Sequence, residues 1–444
     1  AKGTWSTGYF GCTDRKDDRM MQVIKFPSKK DYEQLLKRPL HDYRAVRKTV
    51  QAILDNVRFN GDAAVKQYTQ QFDQISLKDF HLQANEWDAA DSIDESLKKA
   101  IDVAIKNIST FHRSQFENVT KVDTMPGITC WRKSVPIEKV GLYIPGGTAP
   151  LFSTVLMLAV PARIAGCNEI IVCTPPQTDG NVHPAILYAA RQTGVRKIFK
   201  IGGAQAIAAM AFGTETIPKV HKIFGPGNRY ITCAKMLVAA EGVAIDMPAG
   251  PSEVAILADE TCDPEYVAAD LLAQAEHGKD SQVLLVSTDE RVIDQTKDSL
   301  QRQFSQLPRW EIVEAAVKNS KAILVQTLDD ALELINQYAP EHLIIACRDA
   351  EAIAENVRSA GSVFLGNYSP ESVGDYASGT NHTLPTNGFA AAYSGVSLDS
   401  FFKKITFQQV TKEGLSNIAE TVQVMAEAEG LRAHANAVSI RLKN

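Results

Sequence analysis

A carboxylate and an imidazole stand side by side in the segment QYAPEHLIIA, residues 337–346. Pro340 ends a helical pattern, and Glu341 and His342 then precede an apolar run typical of a strand. Consecutive strand residues point to opposite faces, so the turn after Pro340 is what would let both side chains reach one pocket. A well-placed imidazole base contributes about 10²–10⁴-fold to a reaction. The pair is a candidate for acid–base catalysis, and a Glu-His dipeptide on the protein surface is the alternative.

Two potential ligands lie at the end of the segment DPEYVAADLLAQAEHG. Asp263 is a suitable N-cap for a helix, and the proline that follows suits the first helical position. Gln274 and His277 are three residues apart, which places them on one face near the last turn, where the helix dipole favours a cation. We interpret them as residues that share a metal ion. The alternative is that His277 only caps the helix.

The segment NYSPESVGDYASGTNHTLP supplies Glu371, Asp375 and His382 within a polar loop that spans residues 366–400. Carboxylate and imidazole ligands suit zinc or manganese, and the sequence has no cysteine cluster of the kind that forms a structural zinc finger. The segment is therefore a candidate for a catalytic or substrate-holding metal site. The alternative is that Asp375 and His382 bond to backbone groups of the loop.

Glycine-rich turns occur in YIPGGTAP, KIGGAQA and FGPGNRY, and each turn follows a strand-like run and opens a helical one. This context lets the phosphates of a dinucleotide approach backbone N–H groups at helix N-termini. None of the three turns is GxGxxG, so each alone is a weak signal. The alternative is that the glycines only form tight turns between a strand and a helix.

The periodicity of the chain predicts the elements that position these residues. From Tyr32 to Glu117, apolar residues recur at three- and four-residue intervals, which predicts helices. After Gly141, short β-rich runs alternate with helical ones, a pattern typical of parallel strands joined by crossover helices. The predicted fold class is therefore α/β, with two Rossmann-like parallel-sheet domains in series and smaller helical N- and C-terminal segments.

Charge and composition exclude several classes of partner. The formal net charge is −5, and no long basic run indicates nucleic-acid binding. The longest apolar stretch is interrupted by Pro161 and Arg163, so we expect neither a membrane span nor a membrane partner. Seven cysteines without CxxC spacing indicate reduced thiols and a cytoplasmic location. Residues 1–20 are expected to be an expression-derived or upstream extension.

Seven motifs occur in an order that resembles the histidinol dehydrogenase family: VGLYIPGGTAPLFSTVLMLA, IGGAQAIAA, IFGPGN, AIDMPAGPSE, LLAQAEHG, QYAPEHLI and GSVFLGNYSPESVGDYASGTNH. The resemblance extends over about residues 30 to 440. It implies an NAD-dependent oxidation of L-histidinol to L-histidine, the last step of histidine biosynthesis, in two steps through bound L-histidinal. It also implies one zinc ion per site.

The resemblance assigns roles residue by residue. It implies catalysis by Glu341 and His342, with His342 as the base and Glu341 helping to activate water. The implied zinc ligands are Gln274, His277, Asp375 and His434, which would also contact substrate. The other implied substrate contacts are Ser252, His342, Glu371, His382 and Glu429. The implied NAD contacts are Tyr143, Gln205 and Asn228.

The family resemblance also implies a homodimer in which the C-terminal segment of one chain reaches the partner's site. Glu429 and His434 would then act across the interface. The expected divisions are a helical segment (21–38), a first α/β domain with the catalytic and metal residues (39–142 and 252–396), an NAD-binding α/β domain (143–251) and a helical dimerisation segment (397–444).

Two other functions stay open on the sequence. A zinc hydrolase could use Glu341 as the base for water, with the glycine-rich turns purely structural. A relative with the same fold could oxidise another amino alcohol or only bind a ligand. Formation of NADH from histidinol separates these possibilities.

Overall fold

Helices and short strands alternate along most of the chain. The computed structural model describes residues 21–38, 43–146 and 150–443. The first elements are β1 (Gln22–Lys25), α1 (Tyr32–Leu35), α2 (Tyr43–Phe72), α3 (Glu95–Arg113), β2 (Lys121–Met125) and β3 (Ile128–Pro136). The next are β4 (Lys139–Tyr143), α4 (Phe152–Ala165), β5 (Glu169–Thr174), α5 (Pro184–Gln192), β6 (Lys197–Lys200), α6 (Gly203–Phe212), β7 (Lys222–Phe224), α7 (Arg229–Ala240) and β8 (Ala244–Ile245).

The second half of the chain repeats the alternation. Its elements are β9 (Glu253–Ala258), α8 (Pro264–Ala275), β10 (Gln282–Ser287), α9 (Glu290–Phe304), α10 (Trp310–Lys318), β11 (Lys321–Leu324), α11 (Leu328–Tyr338) and β12 (His342–Ala346). They continue with α12 (Ala350–Ala354), β13 (Ser362–Leu365), α13 (Glu371–Tyr376), β14 (Phe402–Val410), α14 (Lys412–Ala428) and α15 (Arg432–Leu442). Short 3-10 turns connect several of these elements.

Two parallel sheets contain most of the strands. One has five strands in the order β6-β5-β4-β7-β8, and the other has six in the order β1-β11-β10-β9-β12-β13. In each sheet, three strands that are consecutive in the chain extend from a central strand in one direction, β4-β5-β6 in one sheet and β9-β10-β11 in the other. The next two strands, β7-β8 and β12-β13, extend from the other side of that central strand, as in the Rossmann arrangement. The α/β class and the two Rossmann-like sheets predicted from the sequence are confirmed.

Each parallel sheet is covered by helices on both faces, which explains why its strands read as nearly continuous apolar runs. In the five-stranded sheet, Leu142 faces a core shared with α4, while Ile171 faces a core shared with α6. In the six-stranded sheet, Ile256 packs toward α8 and Leu257 toward α11. The alternation along each strand divides the interior into four apolar clusters.

The packing of the N-terminal helices differs from the predicted domain grouping. We expected 39–142 to belong with 252–396, yet α2 packs on α6 and α7, and α3 packs on α4. The apolar side of α2 is buried in the core of the five-stranded sheet, and β4 is the central strand of that sheet. These helices therefore belong, by their contacts, with the five-stranded sheet.

The terminal segments are less helical than predicted. Residues 22–25 form β1, which pairs with β11 at the edge of the six-stranded sheet. Near the C-terminus, β14 joins an antiparallel three-stranded sheet in the order β14-β3-β2, and α14 and α15 follow it as a packed pair. No helix among the described residues is long and apolar enough to cross a membrane. Residues 1–20 lie outside the described residues.

Candidate active site

A cleft of about 810 Å³ lies between the two sheets. The amino ends of β9 and β12 contribute residues from one side, and the loops after β4 and β7 contribute residues from the other. The predicted site residues that line it are Asn228, Ser252, Gln274, His277, Glu341, His342, Asp375 and His382. Residues from both halves of the chain thus meet at one place.

The backbone turns sharply just before the Glu341–His342 pair. Helix α11 ends at Tyr338, and Ala339 adopts a left-handed conformation with φ 48°. This conformation is uncommon for a residue other than glycine and costs of order 1 kcal/mol, so the surrounding packing must enforce it. The turn lets Glu341, which precedes strand β12, and His342, its first residue, line the same cleft, as the sequence pattern predicts.

One backbone unit holds both members of the pair. The amide of Glu253 donates a hydrogen bond to Glu341 Oε2 (2.8 Å), and the carbonyl oxygen of Glu253 lies 3.1 Å from His342 Nδ1. Because a carbonyl oxygen only accepts, Nδ1 carries a proton and donates it, so Nε2 is the nitrogen that becomes basic whenever His342 is neutral. Nε2 is buried without a hydrogen bond and lies 3.4 Å from Asp375 Oδ1.

Burial and neighbouring charges set the protonation of the pair. Burial raises the pKa of Glu341 to about 8. Burial lowers the pKa of His342, but the carboxylates of Glu341 and Asp375 outweigh it and raise that pKa to about 10. Without a cation nearby, His342 is an imidazolium stabilised by carboxylates. A group that neutralised those carboxylates would return His342 toward the neutral, basic form.

Three side chains form a potential metal site beside His342. One ligand atom from each of His277, Glu371 and Asp375 lies within 4.8 Å of the others. Burial raises the pKa of Glu371 well above its ordinary value. Burial also acts to raise the pKa of Asp375, but the adjacent His342 imidazole outweighs it and lowers that pKa. One imidazole nitrogen and carboxylate oxygens are a donor set that suits zinc. The residues present therefore fit the metal.

Gln274 lies next to this cluster at the end of α8. With its amide oriented to satisfy its neighbours, it donates to Glu371 (2.7 Å) and accepts from the Glu253 amide (2.9 Å). In the opposite orientation its oxygen faces the Glu371 carboxylate, an arrangement that a cation between them would stabilise. The predicted helix start is confirmed, because the Asp263 side chain accepts from the Glu265 amide.

His382 and Ser252 line the cleft at positions where they can contact a ligand. His382 Nδ1 lies 2.9 Å from the Asp375 carbonyl oxygen, and its Nε2 lies 3.3 Å from Thr154 Oγ1. Burial lowers the pKa of His382, which favours a neutral imidazole. The predicted loop therefore does bring His382 to the cluster, although part of it, α13, is helical.

Glu429 and His434 do not reach the cleft of their own chain. Both are exposed, and neither lines the cleft. Helix α14 ends at Ala428, and Gly430 adopts φ 75° between α14 and α15, a conformation that favours glycine. The described residues of one chain thus supply three of the four predicted zinc ligands, with Glu371 close to them.

A second cleft, of about 930 Å³, lies at the carboxyl ends of the five-stranded sheet. The three predicted NAD contacts, Tyr143, Gln205 and Asn228, all line it. Pro145, Asn228 and Tyr230 line both clefts, so the two spaces adjoin. The Tyr143 hydroxyl accepts a hydrogen bond from the Gly203 amide (3.2 Å), and burial raises the pKa of Tyr143.

Several buried polar atoms in the second cleft lack hydrogen-bond partners. They are both amide atoms of Gln205, Thr174 Oγ1 and Asp73 Oδ2. Buried polar groups are normally satisfied, and an unsatisfied one costs about 1–3 kcal/mol. The residues present therefore fit a polar ligand that completes these bonds, and a dinucleotide at the carboxyl ends of a Rossmann-type sheet is such a ligand.

Sequence reasoning missed three contributors to these sites. Glu253 orients the catalytic pair through its backbone, and no side-chain pattern reveals such a role. Asp73 follows the last residue of α2, and Thr174 is the last residue of β5. Neither residue belongs to a recognisable motif. The polar segment had already offered Glu371 as a candidate for a metal site, and its spacing of four residues from Asp375 places the two carboxylates on one face of α13.

Two α/β units, with a His-carboxylate cluster in one cleft and an adjoining cleft at the carboxyl ends of a Rossmann-type sheet, define the class of protein as an α/β protein with a nucleotide-type cleft. The sequence profile of the histidinol dehydrogenase family matches residues 36–442. A histidinol dehydrogenase from Bacteroides thetaiotaomicron is 58% identical over 424 residues, which cover 95% of this chain and 99% of the relative. One from Shigella sonnei is 50% identical and covers 92% of this chain and 94% of the relative.

A solved structure agrees with these sequences. The crystal structure of histidinol dehydrogenase from Elizabethkingia anophelis has a TM-score of 0.93 and 52% sequence identity, and the match covers 95% of this chain and 98% of that chain. The chain therefore belongs to the histidinol dehydrogenase family.

Proposed function

We propose that this chain catalyses the zinc- and NAD-dependent oxidation of L-histidinol to L-histidine in two steps, through L-histidinal that stays bound. The observation that supports it best is the position of His342. Its Nε2 lies 3.4 Å from Asp375 Oδ1 of the His277–Glu371–Asp375 cluster, and His342 lines a cleft that adjoins the nucleotide-type cleft. A base, a metal site and a hydride-acceptor site can thus serve one substrate.

NAD and zinc would occupy separate sites and supply different chemistry. When bound, NAD supplies the hydride acceptor in both steps and zinc supplies a Lewis acid that holds the substrate. Gln274, His277 and Asp375, with Glu371 beside them, would hold the zinc, and Tyr143, Gln205 and Asn228 would contact NAD. The remaining chemistry is proton transfer and the handling of water, which fall to the side chains of the chain.

His342 is proposed to be the base in both steps. Oxidation of an alcohol by hydride loss also releases the hydroxyl proton, and His342 Nε2 is the basic atom in the cleft. With Asp375 and Glu371 engaged as ligands, their charges no longer stabilise the imidazolium, so His342 can accept a proton near neutral pH. Its Nδ1 stays fixed on the Glu253 carbonyl oxygen throughout.

Glu341 is proposed to position and activate the water that adds to the aldehyde. The second step forms a carbon–oxygen bond from water and releases further protons, so it needs an acceptor beside the base. Glu341 is buried with a raised pKa, and its Oε2 is held by the Glu253 amide. The complete reaction consumes one water and yields two NADH and three protons for each histidinol.

We also propose that the active unit is a homodimer, with Glu429 and His434 completing the partner's site. Their exposure in the single chain and their absence from its cleft support this arrangement. His434 would be the fourth zinc ligand and Glu429 a substrate contact. None of the six described cysteines forms a disulfide, which agrees with the proposed cytoplasmic location.

The test of the function is the stoichiometry of NADH formed from L-histidinol. We expect two NADH for each histidinol consumed, loss of the activity after chelation, and its return on addition of zinc. One NADH per histidinol would contradict the two-step reaction. No NADH from a zinc-loaded dimer would reject the dehydrogenase in favour of a hydrolase or another substrate.

A mixed-dimer experiment tests the shared site. One chain carries His342→Ala and the other carries His434→Ala, and each homodimer is inactive. Random mixing should restore about one quarter of the wild-type activity, because half of the dimers then contain one intact site. No recovery above the two single variants would contradict a site built across the interface.

A further inference from the structure

The nucleotide-type cleft contains a carboxylate that the proposed reaction does not use. We propose that Asp73 accepts hydrogen bonds from the 2′- and 3′-hydroxyls of the adenosine ribose and so selects NAD over NADP. This inference rests on the proposed function, because it assumes that a nicotinamide dinucleotide occupies the cleft. It assigns Asp73 as the residue that determines cofactor specificity.

The surroundings of Asp73 favour a ligand over a structural role. Asp73 follows the last residue of α2, and its Oδ2 is buried without a hydrogen bond while the residue lines the cleft. A negative charge at the C-terminal end of a helix is unfavourable because the helix dipole is negative there. Burial raises the pKa of Asp73, and no cation is among the causes that act on it. The carboxylate therefore stabilises neither α2 nor an ion pair.

The positions of the two clefts place the adenosine half of the dinucleotide near Asp73. The nicotinamide must lie beside the substrate, in the cleft that contains His342, to receive a hydride. The second cleft adjoins the first at Pro145, Asn228 and Tyr230, so the other half of the molecule extends into it. Its volume of about 930 Å³ is sufficient for a nucleoside.

The charge of the second cleft disfavours a 2′-phosphate. Among the described residues that line it there is no lysine or arginine, and Asp73 is the only acidic side chain. Burial lowers the pKa of His183, so this imidazole is neutral near pH 7. A phosphate monoester carries a charge of about −1.5 to −2, which the carboxylate repels, whereas a ribose hydroxyl donates to it. Both the attraction and the repulsion therefore favour NAD.

The experiment compares NAD, NADP and 2′-deoxy-NAD on the zinc-loaded, full-length wild type and Asp73→Asn. Dissociation constants are measured by isothermal titration calorimetry, and kcat/KM is measured with histidinol. Loss of a charge-assisted hydrogen bond should weaken NAD about 10- to 100-fold, and removal of the repulsion should strengthen NADP. The wild type should bind 2′-deoxy-NAD weakly, while Asp73→Asn should bind it about as well as NAD.

Asp55→Asn is the matched control, because Asp55 is a partly buried aspartate of the α2 segment that pairs with Gln51 and does not line the cleft. It should leave all three dissociation constants unchanged. If Asp73→Asn fails to fold, Asp73→Ser and the wild-type discrimination against 2′-deoxy-NAD and NADP still decide the question.

The inference is overturned if Asp73→Asn changes NAD, NADP and 2′-deoxy-NAD by the same factor, or if the wild type binds NAD and 2′-deoxy-NAD equally. Such results, together with normal NADH formation, would leave the proposed dehydrogenase intact. Absence of NADH formation and of NAD binding by the wild type would instead reject the proposed function and this inference with it.

Discussion

The two α/β units have the same strand order but use opposite edges of their sheets. The six-stranded unit presents the Glu341–His342 pair and the His277–Glu371–Asp375 cluster near the amino ends of β9 and β12. The five-stranded unit presents its cleft at the carboxyl ends of β4, β5 and β6. Ligands of open α/β sheets usually bind at the carboxyl ends, so the six-stranded unit is the exception.

The polarity of the helix ends explains why the two units use opposite edges of their sheets. Crossover helices run antiparallel to the strands, so the amino edge of a sheet receives helix C-termini and the carboxyl edge receives helix N-termini. C-termini of α8 and α11 therefore meet in the six-stranded unit, where their dipoles favour a cation. N-termini of α5, α6 and α7 open onto the other cleft, where they favour phosphate. One topology thus provides a cation site at one edge and an anion site at the other.

The sharpest test of this division is His342→Gln. Removal of the base should lower kcat about 10²–10⁴-fold, because the proton has no other acceptor at that position. The dissociation constant for NAD should stay within about twofold, since the residue belongs to the other unit. Steady-state kinetics and calorimetry measure the two quantities. A parallel loss of NAD affinity would show that the two units do not act separately.

Removal of a metal ligand should have the next largest effect. His277→Ala should weaken zinc binding by at least about 100-fold, because it removes an imidazole from the cluster. Zinc content is measured by mass spectrometry after dialysis, and NAD binding by calorimetry should be unchanged. The exposed His221 supplies the control variant His221→Ala. Full zinc content in His277→Ala would exclude this residue as a ligand.

The six-stranded unit should also be less stable at high pH when the metal is removed. Burial raises the pKa of Asp270 to about 7 from an ordinary 3.8, so the folded state holds this proton more tightly than the unfolded state. The associated stability is complete below about pH 4 and is lost as the pH rises through 7. Asp270→Asn should therefore raise the free energy of unfolding by about 2–3 kcal/mol at pH 8.

Urea unfolding of the chelated protein at about pH 4 and pH 8 measures this difference, which should nearly disappear at the lower pH. The exposed Asp294 on α9 provides the control, and Asp294→Asn should change stability by less than about 0.5 kcal/mol at either pH. An equal effect of Asp270→Asn at both values would exclude the titration of this carboxyl as the cause.

The smallest expected effect belongs to the nucleotide-type cleft. Gln205→Leu removes a side-chain amide whose two polar atoms have no hydrogen-bond partner in the protein. The substitution should weaken the binding of NAD about 5- to 10-fold. Zinc content and the free energy of unfolding should stay near the wild-type values, because no protein hydrogen bond is lost. A large loss of zinc in this variant would contradict the assignment of the two sites to separate units.

The parallel sheets were predictable from the sequence because their signals are local. Each buried strand is a short apolar run, and each crossover helix has apolar residues that recur at three- and four-residue intervals. Strand β14 gives no such signal, since most of its residues are exposed and its partner β3 is far away in the sequence. Likewise, the apolar stripe of α2 predicts a helix but not which sheet it covers.

The candidate site was predictable to the extent that its residues lie in distinctive motifs. Glu341, His342, His277 and Asp375 meet in one cleft, as the motifs indicated. The roles of the Glu253 backbone and of Asp73 depend on pairing between distant segments, and neither residue differs in type from its ordinary surface counterparts. Only the fold shows that their hydrogen-bonding atoms face a ligand.

The pairing of β14 with β3 and of β1 with β11 has a consequence for synthesis on the ribosome. Every described residue that lines the nucleotide-type cleft lies between Thr49 and Tyr230, and the five-stranded sheet is complete by Ile245. The edge strand β1, by contrast, can pair with β11 only after β11 has been synthesised, and the same holds for β3 and β14. Because domains generally fold as units while the chain emerges, we expect a nascent chain to form the nucleotide-type cleft well before it can assemble the His277–Glu371–Asp375 cluster.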